Sequence, residues 1–140
     1  MELDEELHFN RYRAVTLCKD WASLLPWTED YLGFVTEEEP LCSKAAGWGK
    51  RWTSPSSEAM FGQPSAPGDF SGGGAPRWKQ RALYDAMKDL ASIDGAGLRL
   101  VRLSVHDRVG TATLHELLTG RADPDLDSLA SLVSRRVNTS

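Results

Sequence analysis

Three histidines and two cysteines are among the side chains in this sequence whose types suit metal ligation or nucleophilic chemistry. The histidines, His8, His106 and His115, are scattered singly, and Cys18 and Cys42 lie 23 residues apart without partners at metal-ligand spacing. We therefore expect no catalytic residue, no metal site, no cofactor and no enzymatic activity. The two thiols are expected to be buried or half-buried, with a disulfide between them as the alternative.

The last third of the chain has a pattern that suits contact with nucleic acid. Leu114 and Leu117 fall on one helical face, so the positions between them face outward. Gly120 can supply the left-handed residue that ends this helix, and Asp123-Pro124 can cap and begin the next one. Residues 126–137 then keep apolar side chains three and four positions apart. The pattern predicts two helices joined by a tight turn.

A resemblance to repressor-type (Cro-like or XRE-like) helix-turn-helix domains is carried by Thr113-Leu114-His115-Glu116-Leu117-Leu118-Thr119-Gly120-Arg121, then Pro124 and Leu126 to Leu132. These residues resemble the second half of the family's domain. In an ungapped alignment, residues 98–104 fall on its scaffold helix and Val109 on the buried position after the turn. The sequence departs from the family at Arg108, where a turn glycine is usual, and at Ser104, where an alanine is usual. The resemblance covers about residues 83–137 and implies double-stranded DNA as a partner.

The same resemblance implies which side chains would contact DNA, because the start of the recognition helix enters the major groove in this family. The groove contacts would be Thr111, Ala112, His115 and Glu116. The phosphate contacts would be Arg102, Arg108, Thr113 and Arg121. For His115, a solvent-facing side chain without a DNA contact is the alternative.

Charge is divided unevenly along the chain, whose net charge is −4. Residues 1–76 hold 6 Lys/Arg against 12 Asp/Glu, a net of −6, whereas residues 77–140 hold 10 against 8, a net of +2. Phosphate contact depends on local rather than total charge. We predict an acidic N-terminal module over 1–52, a linker rich in Pro, Gly and Ser over 53–76, and a helix-turn-helix-like domain over 77–140. The linker contains too many helix breakers for a helix.

The predicted fold class is all-α. Helical periodicity runs from Leu3 to Leu25, and Pro76 begins a helix that Gly95 and Gly97 end. Residues 77–137 are expected to form four or five helices. The predicted core of these helices is Trp78, Leu83, Met87, Leu90, Leu100, Leu103, Val109, Leu114, Leu117, Leu118, Leu126, Leu129 and Val133.

Five tryptophans are many for 140 residues. They are Trp21, Trp27, Trp48, Trp52 and Trp78. Tryptophan is frequent both in cores and at interfaces. The sequence is compatible with both roles for these tryptophans, core packing and an interface. If they form an interface, the N-terminal Trp-rich segment is the predicted surface for a protein partner or a second copy.

Together these features favour a small DNA-binding transcriptional regulator. Two alternatives are a protein-interaction module of the inhibitor, antitoxin or immunity type, and a structural component of a larger assembly. No apolar run approaches the ~20 residues of a membrane-spanning helix. The acidic start, Met1-Glu2-Leu3-Asp4-Glu5-Glu6, does not resemble a secretory signal. A cytoplasmic protein without membrane contact is therefore expected.

Overall fold

The computed structural model of the protein describes residues 1–45, 51–94 and 97–138. The α-helices of this part are α1 (Arg11–Leu17), α2 (Thr28–Ala45), α3 (Pro55–Phe61), α4 (Pro76–Ile93), α5 (Leu114–Leu118) and α6 (Leu126–Arg136). Short 3-10 helices cover Glu6–His8 and Asp20–Leu24. The strands are β1 (Glu2–Asp4), β2 (Arg102–Ser104), β3 (Arg108–Val109) and β4 (Ala112–Thr113). The fold is mostly helical but mixed.

Two small sheets overturn the predicted all-α fold. β1 pairs in parallel with β2, with Leu3 opposite Leu103, and β3 pairs antiparallel with β4. Residues 98–104 were expected to form the scaffold helix of a helix-turn-helix, but they contribute β2 instead. Polar and apolar residues alternate along Arg102-Leu103-Ser104, as they do in a strand with one solvated face, yet all three residues of β2 are buried. The described residues between 77 and 137 contain three α-helices rather than the four or five that were expected.

Capping residues fix most helix ends, as the sequence indicated. Pro76 occupies the first turn of α4, and Gly120 adopts a φ of 69° just after α5, so both predictions are confirmed. Helix α6 begins at Leu126 rather than at Pro124. Its N-cap is Asp125, whose side chain accepts a hydrogen bond from the amide of Ser128.

The segment 53–76 contains helix α3, which the sequence analysis did not expect. Ser54 caps this helix through a reciprocal capping box, so the proline that follows begins the helix rather than breaking it. The loop beyond α3 is tied to the rest of the protein, since the indole Nε1 of Trp52 donates to the carbonyl of Ser65 at 2.9 Å. A Cβ built on Gly73 would collide with the backbone carbonyl of Gln63, and Gly74 has a φ of 56°, which favours glycine. The loop is therefore closely packed at Gly73.

Three clusters of buried apolar residues form the core of the described residues. The first surrounds Phe9, Trp27 and Tyr31, and the second surrounds Trp52 and Trp78. The third joins β2, β3, α5 and α6, through Leu103, Val109, Leu114 and Leu132. Trp27, Trp52 and Trp78 are buried and Trp21 is half-buried, so these four serve the core rather than an interface. Trp48 lies outside the described residues.

The two cysteines are free thiols rather than a disulfide. Cys18 is exposed, which differs from the expectation of a buried or half-buried thiol, and Cys42 is buried. The thiol of Cys42 donates to the carbonyls of Glu6 and Phe9, at 2.6 and 3.0 Å. Burial, reinforced by the nearby charge of Glu39, raises the pKa of Cys42 to about 12. This thiol therefore stays protonated and unreactive at neutral pH.

Candidate functional site

Arg102, one of the predicted phosphate contacts, lies in the interior of the protein. Its side chain is 0% exposed, and its guanidinium donates to carboxylates of Asp4, Asp85 and Asp89 at 2.6 to 3.1 Å. A fully buried guanidinium with three carboxylate partners cannot also reach a phosphate. The structure therefore removes Arg102 from any DNA-contacting set.

Two of the other predicted DNA contacts bind each other at the start of α5. The hydroxyl of Thr113 accepts from the amide of Glu116 at 3.3 Å, and the carboxylate of Glu116 accepts from the amide of Thr113 at 2.7 Å. This capping box stabilises the start of α5, which explains why a threonine and a glutamate occupy these two positions. The pattern of a threonine followed three residues later by a glutamate identifies such a cap from sequence.

The remaining predicted contacts lie around β3, β4 and α5. Arg108 and Thr111 are exposed and meet in the turn between the two strands, where the guanidinium donates to the carbonyl of Thr111 at 2.6 Å. Ala112 and His115 are half-buried. Arg121 is exposed beyond the far end of α5. The structure brings Arg108 and Thr111 together but leaves Arg121 at the opposite end of a helix of five residues.

A buried ionic network ties β1, β2, α1 and α4 together. Arg102 from β2 lies at its centre between Asp4 of β1 and the two aspartates of α4, Asp85 and Asp89. Arg13 of α1 donates to Asp89 at 2.7 Å, and its side chain is as buried as that carboxylate. Buried charges persist in proteins when each is paired and hydrogen-bonded. The network therefore holds the N-terminal strand against α4 and β2.

The charges of the network shift the pKa values of Asp85 and Arg102 in the directions that keep these two groups ionised. Burial alone would raise the pKa of Asp85, but the hydrogen bond from His8 and the charges of His8, Arg102 and Arg13 lower it to about 2. Burial alone would lower the pKa of Arg102, but the three aspartates raise it instead. Asp85 and Arg102 are therefore both ionised at neutral pH.

The side chains of Asp4, His8 and Asp85 bring three possible metal-ligand atoms within 4.8 Å of one another. The carboxylate of Asp4 already accepts two hydrogen bonds from Arg102, at 2.8 and 2.9 Å, and that of Asp85 accepts one at 3.1 Å. A divalent cation here would lie beside a guanidinium and would have to displace it. Repulsion between these positive charges makes the cluster a structural ion network rather than a metal site.

Helix α4 buries Trp78 but presents its leucines and Met87 to solvent. We define its outer face as Leu83, Tyr84, Met87, Leu90 and Ala91. The exposed fractions of Leu83, Met87 and Leu90 are 38%, 58% and 41%, although these three were predicted to lie in the core. The opposite side of α4 is buried and carries Asp85 and Asp89 of the ionic network together with small alanines. The network occupies the space where an apolar stripe would otherwise pack.

An apolar groove runs beside this outer face. It has a volume of about 660 Å³ and is lined by Leu24, Met87, Leu90, Ala91, Ile93 and Asp94. Leu24 comes from the 3-10 helix Asp20–Leu24 and is 64% exposed. A ridge of leucine and methionine next to an apolar groove is the form of surface on which another helix packs. The outer face is the candidate functional site of the protein.

The structure thus defines a mostly helical mixed fold with a buried ionic network and an exposed apolar helix face. The chain belongs to a family of unknown function, DUF7255, whose model matches residues 1–120. The match runs from β1 through α5 and ends before α6. Neither the curated proteins nor the solved structures contain a match to the chain. Among the described residues, no helix is both long and apolar enough to cross a bilayer.

Proposed function

We propose that the protein is a protein-interaction module that pairs with a second copy of itself through the outer face of α4. The observation that carries this proposal is the exposed apolar outer face of α4, where Leu83, Met87 and Leu90 face solvent. Soluble proteins seldom expose a contiguous apolar patch unless it binds something. The proposal assigns no catalytic role to any residue.

Charge favours a second copy as the occupant of this face. In a two-fold interface each residue meets the same surface of the partner, so a patch with few charges avoids self-repulsion. Among the described residues of this side of α4, Lys88 is already paired with Glu2 at 2.9 Å, and Asp94 lies at the C-terminal end. The patch therefore has few charged side chains with which a highly charged partner could pair.

An antiparallel arrangement of two α4 helices also separates the remaining carboxylates. Asp94 lies seven residues beyond Met87, so pairing about Met87 places the two Asp94 side chains roughly 21 Å apart along the helix axis. This separation exceeds the Debye length of about 10 Å at 0.1 M salt. In the same arrangement Leu83 of one copy faces the groove beside Leu90 of the other.

Sedimentation equilibrium of the wild type and of Met87→Asp tests the proposal. We expect a wild-type dimer at about 100 µM, well above a micromolar Kd, and a monomer for Met87→Asp, because the substitution places two carboxylates at the centre of the interface. Leu126→Asp is the matched control, since Leu126 is 72% exposed at the start of α6, outside the outer face. A monomeric wild type would refute self-pairing, and a dimeric Met87→Asp would place the interface elsewhere.

The geometry favours this function over the DNA binding predicted from the sequence. Arg102 is internal, and Thr113 and Glu116 bind each other. Exposed Arg108 and Arg121 are what still supports a DNA contact. A mobility shift with duplex DNA at about 50 mM salt, where phosphate contacts are strong, decides this point. If the protein binds DNA and Arg121→Ala weakens binding to all sequences, the result would support a DNA-binding regulator. If no shift is seen, the DNA-binding hypothesis is wrong.

A further inference from the structure

The centre of the outer face of α4 is a methionine that an oxidant can reach. Met87 is 58% exposed, and it is the one sulfur-containing residue among the five of this face. Among the described residues, no hydrogen bond reaches its thioether sulfur. We propose that Met87 is a reversible oxidation site, at which a peroxide converts the thioether to the sulfoxide and thereby separates the two copies. This inference rests on the self-pairing proposed above.

Met60 of α3 lies beside the same face but is better protected. Its Sδ accepts hydrogen bonds from Nε2 of Gln80 at 3.1 Å and from the hydroxyl of Tyr84 at 3.8 Å. These contacts engage the lone pairs with which a thioether attacks an oxidant. Met60 is also less exposed, at 45%. We therefore expect Met87 to react before Met60, because the sulfur of Met87 is unengaged and its side chain is more accessible.

The reaction needs only the thioether and the oxidant. The sulfur of Met87 attacks one oxygen of hydrogen peroxide, so that a sulfur–oxygen bond forms and the oxygen–oxygen bond breaks. The second oxygen leaves as water after a proton transfer, the sulfur loses two electrons, and the peroxide gains two. Enzymes of the methionine sulfoxide reductase class return a sulfoxide to the thioether, which makes the change reversible.

Oxidation of Met87 would place a polar group at the centre of an apolar interface. A sulfoxide oxygen accepts hydrogen bonds but has no proton to donate, so the two sulfoxides near the two-fold axis cannot pair with each other. The nearest donors along α4 are engaged, the hydroxyl of Tyr84 with Met60 and the ammonium of Lys88 with Glu2 at 2.9 Å. Because each dimer would bury two acceptors without donors, we expect its dissociation constant to rise by more than about 30-fold.

Sedimentation equilibrium before and after treatment with hydrogen peroxide tests the site. The parent protein carries Cys18→Ser, as does every variant, because Cys18 is an exposed thiol that peroxide would also oxidise. We expect peroxide to weaken the dimer of the parent by the factor given above, and methionine sulfoxide reductases to restore it. Met87→Leu keeps the apolar surface without a thioether, so peroxide should leave its dimer unchanged. Met60→Leu is the matched control and should lose its dimer as the parent does.

Peptide mapping by mass spectrometry identifies which methionine has been oxidised. A dimer that persists with Met87 fully oxidised would overturn this inference and leave the self-pairing intact. Dissociation of the Met87→Leu dimer by peroxide would also overturn it, because the sensitive group would then lie elsewhere. A parent protein that is monomeric before peroxide is added would refute the self-pairing and this inference with it.

Partial oxidation of the parent gives a second test, which holds even if Met87→Leu fails to fold. After monomer and dimer are separated, the sulfoxide of Met87 should be enriched in the monomer. Met1 is 76% exposed but lies outside the outer face, so its sulfoxide should be distributed equally between the two. An equal distribution of the Met87 sulfoxide would overturn the inference.

Discussion

Helices α4 and α6 are both amphipathic by sequence, yet they present opposite sides to the protein interior. In α6, Leu132 is buried and Leu129 and Val133 pack beside it on the third apolar cluster. In α4, the larger aliphatic side chains face solvent, while Asp85 and Asp89 face inward. Helical periodicity shows which residues share a face, but it does not show which face is buried.

The difference between the two helices comes from what lies opposite each of them. Helix α6 packs against apolar residues of β2, β3 and α5. Helix α4 packs against Arg13 of α1 and Arg102 of β2, and these guanidiniums need carboxylate partners on its inner side. The buried arginines, together with the packing of Trp78 against Trp52, account for the orientation of α4.

Among the substitutions that test this comparison, removing the central arginine should cause the largest loss of stability. Arg102→Ala leaves three buried aspartates without their shared partner, and we expect a loss of about 3–5 kcal/mol in the free energy of unfolding. Urea denaturation measures the loss, with exposed Arg99→Ala as the control. A loss below about 0.5 kcal/mol, within the usual range for surface substitutions, would contradict the role given to the network.

Truncation of the inward leucine of α6 should have the next largest effect. Leu132 is 3% exposed, and Leu132→Ala should cost about 2–4 kcal/mol through lost burial and a cavity. Leu126→Ala on the same helix is the control, since its side chain is largely exposed. If the two variants unfold at the same urea concentration, the apolar inner face of α6 contributes less than its packing indicates.

Local signals in the sequence predicted part of this fold correctly. Pro76 marks the start of α4, and Gly120 marks the end of α5. The residues after Pro124 form a helix, although it begins at Leu126. Each of these features depends on neighbours within a few residues, so the sequence contains the necessary information.

Pairings between distant residues could not be predicted from the sequence. Strand β2 exists because it pairs with β1, whose residues lie about a hundred positions earlier, and Arg102 finds Asp4 across the same distance. The spacing of leucines in 98–104 suits a helix equally well. The candidate site was missed for the same reason, because only the partners of Asp85 and Asp89 reveal that the leucine stripe of α4 faces outward.

Acid should weaken the contacts that Asp85 makes on the inner side of α4. The folded pKa of Asp85 is about 2, below its ordinary value of 3.8, so the ionised carboxylate stabilises the folded state. This contribution, about 2 kcal/mol, is present above pH 4 and is lost as the pH falls through about 2. Asp85→Asn should flatten the fall in stability between pH 4 and pH 2, measured by urea denaturation. The exposed Asp20→Asn variant should keep the wild-type slope.

Substitution on the outer face of α4 should have the smallest effect on the stability of the monomer. Leu90→Ser removes an apolar side chain that is 41% exposed and has no cluster to pack against among the described residues. In the Met87→Asp background, which we expect to be monomeric, the change should alter the free energy of unfolding by no more than about 0.5 kcal/mol. In the wild-type background the same substitution should weaken the dimer, because there Leu90 is covered by the second copy. A loss of about 2 kcal/mol or more in the monomer, typical of a core leucine, would mean that the outer face packs within its own chain. The apolar side chains of a binding face are needed for the dimer but not for the stability of the monomer, whereas those of a core are needed for the monomer itself.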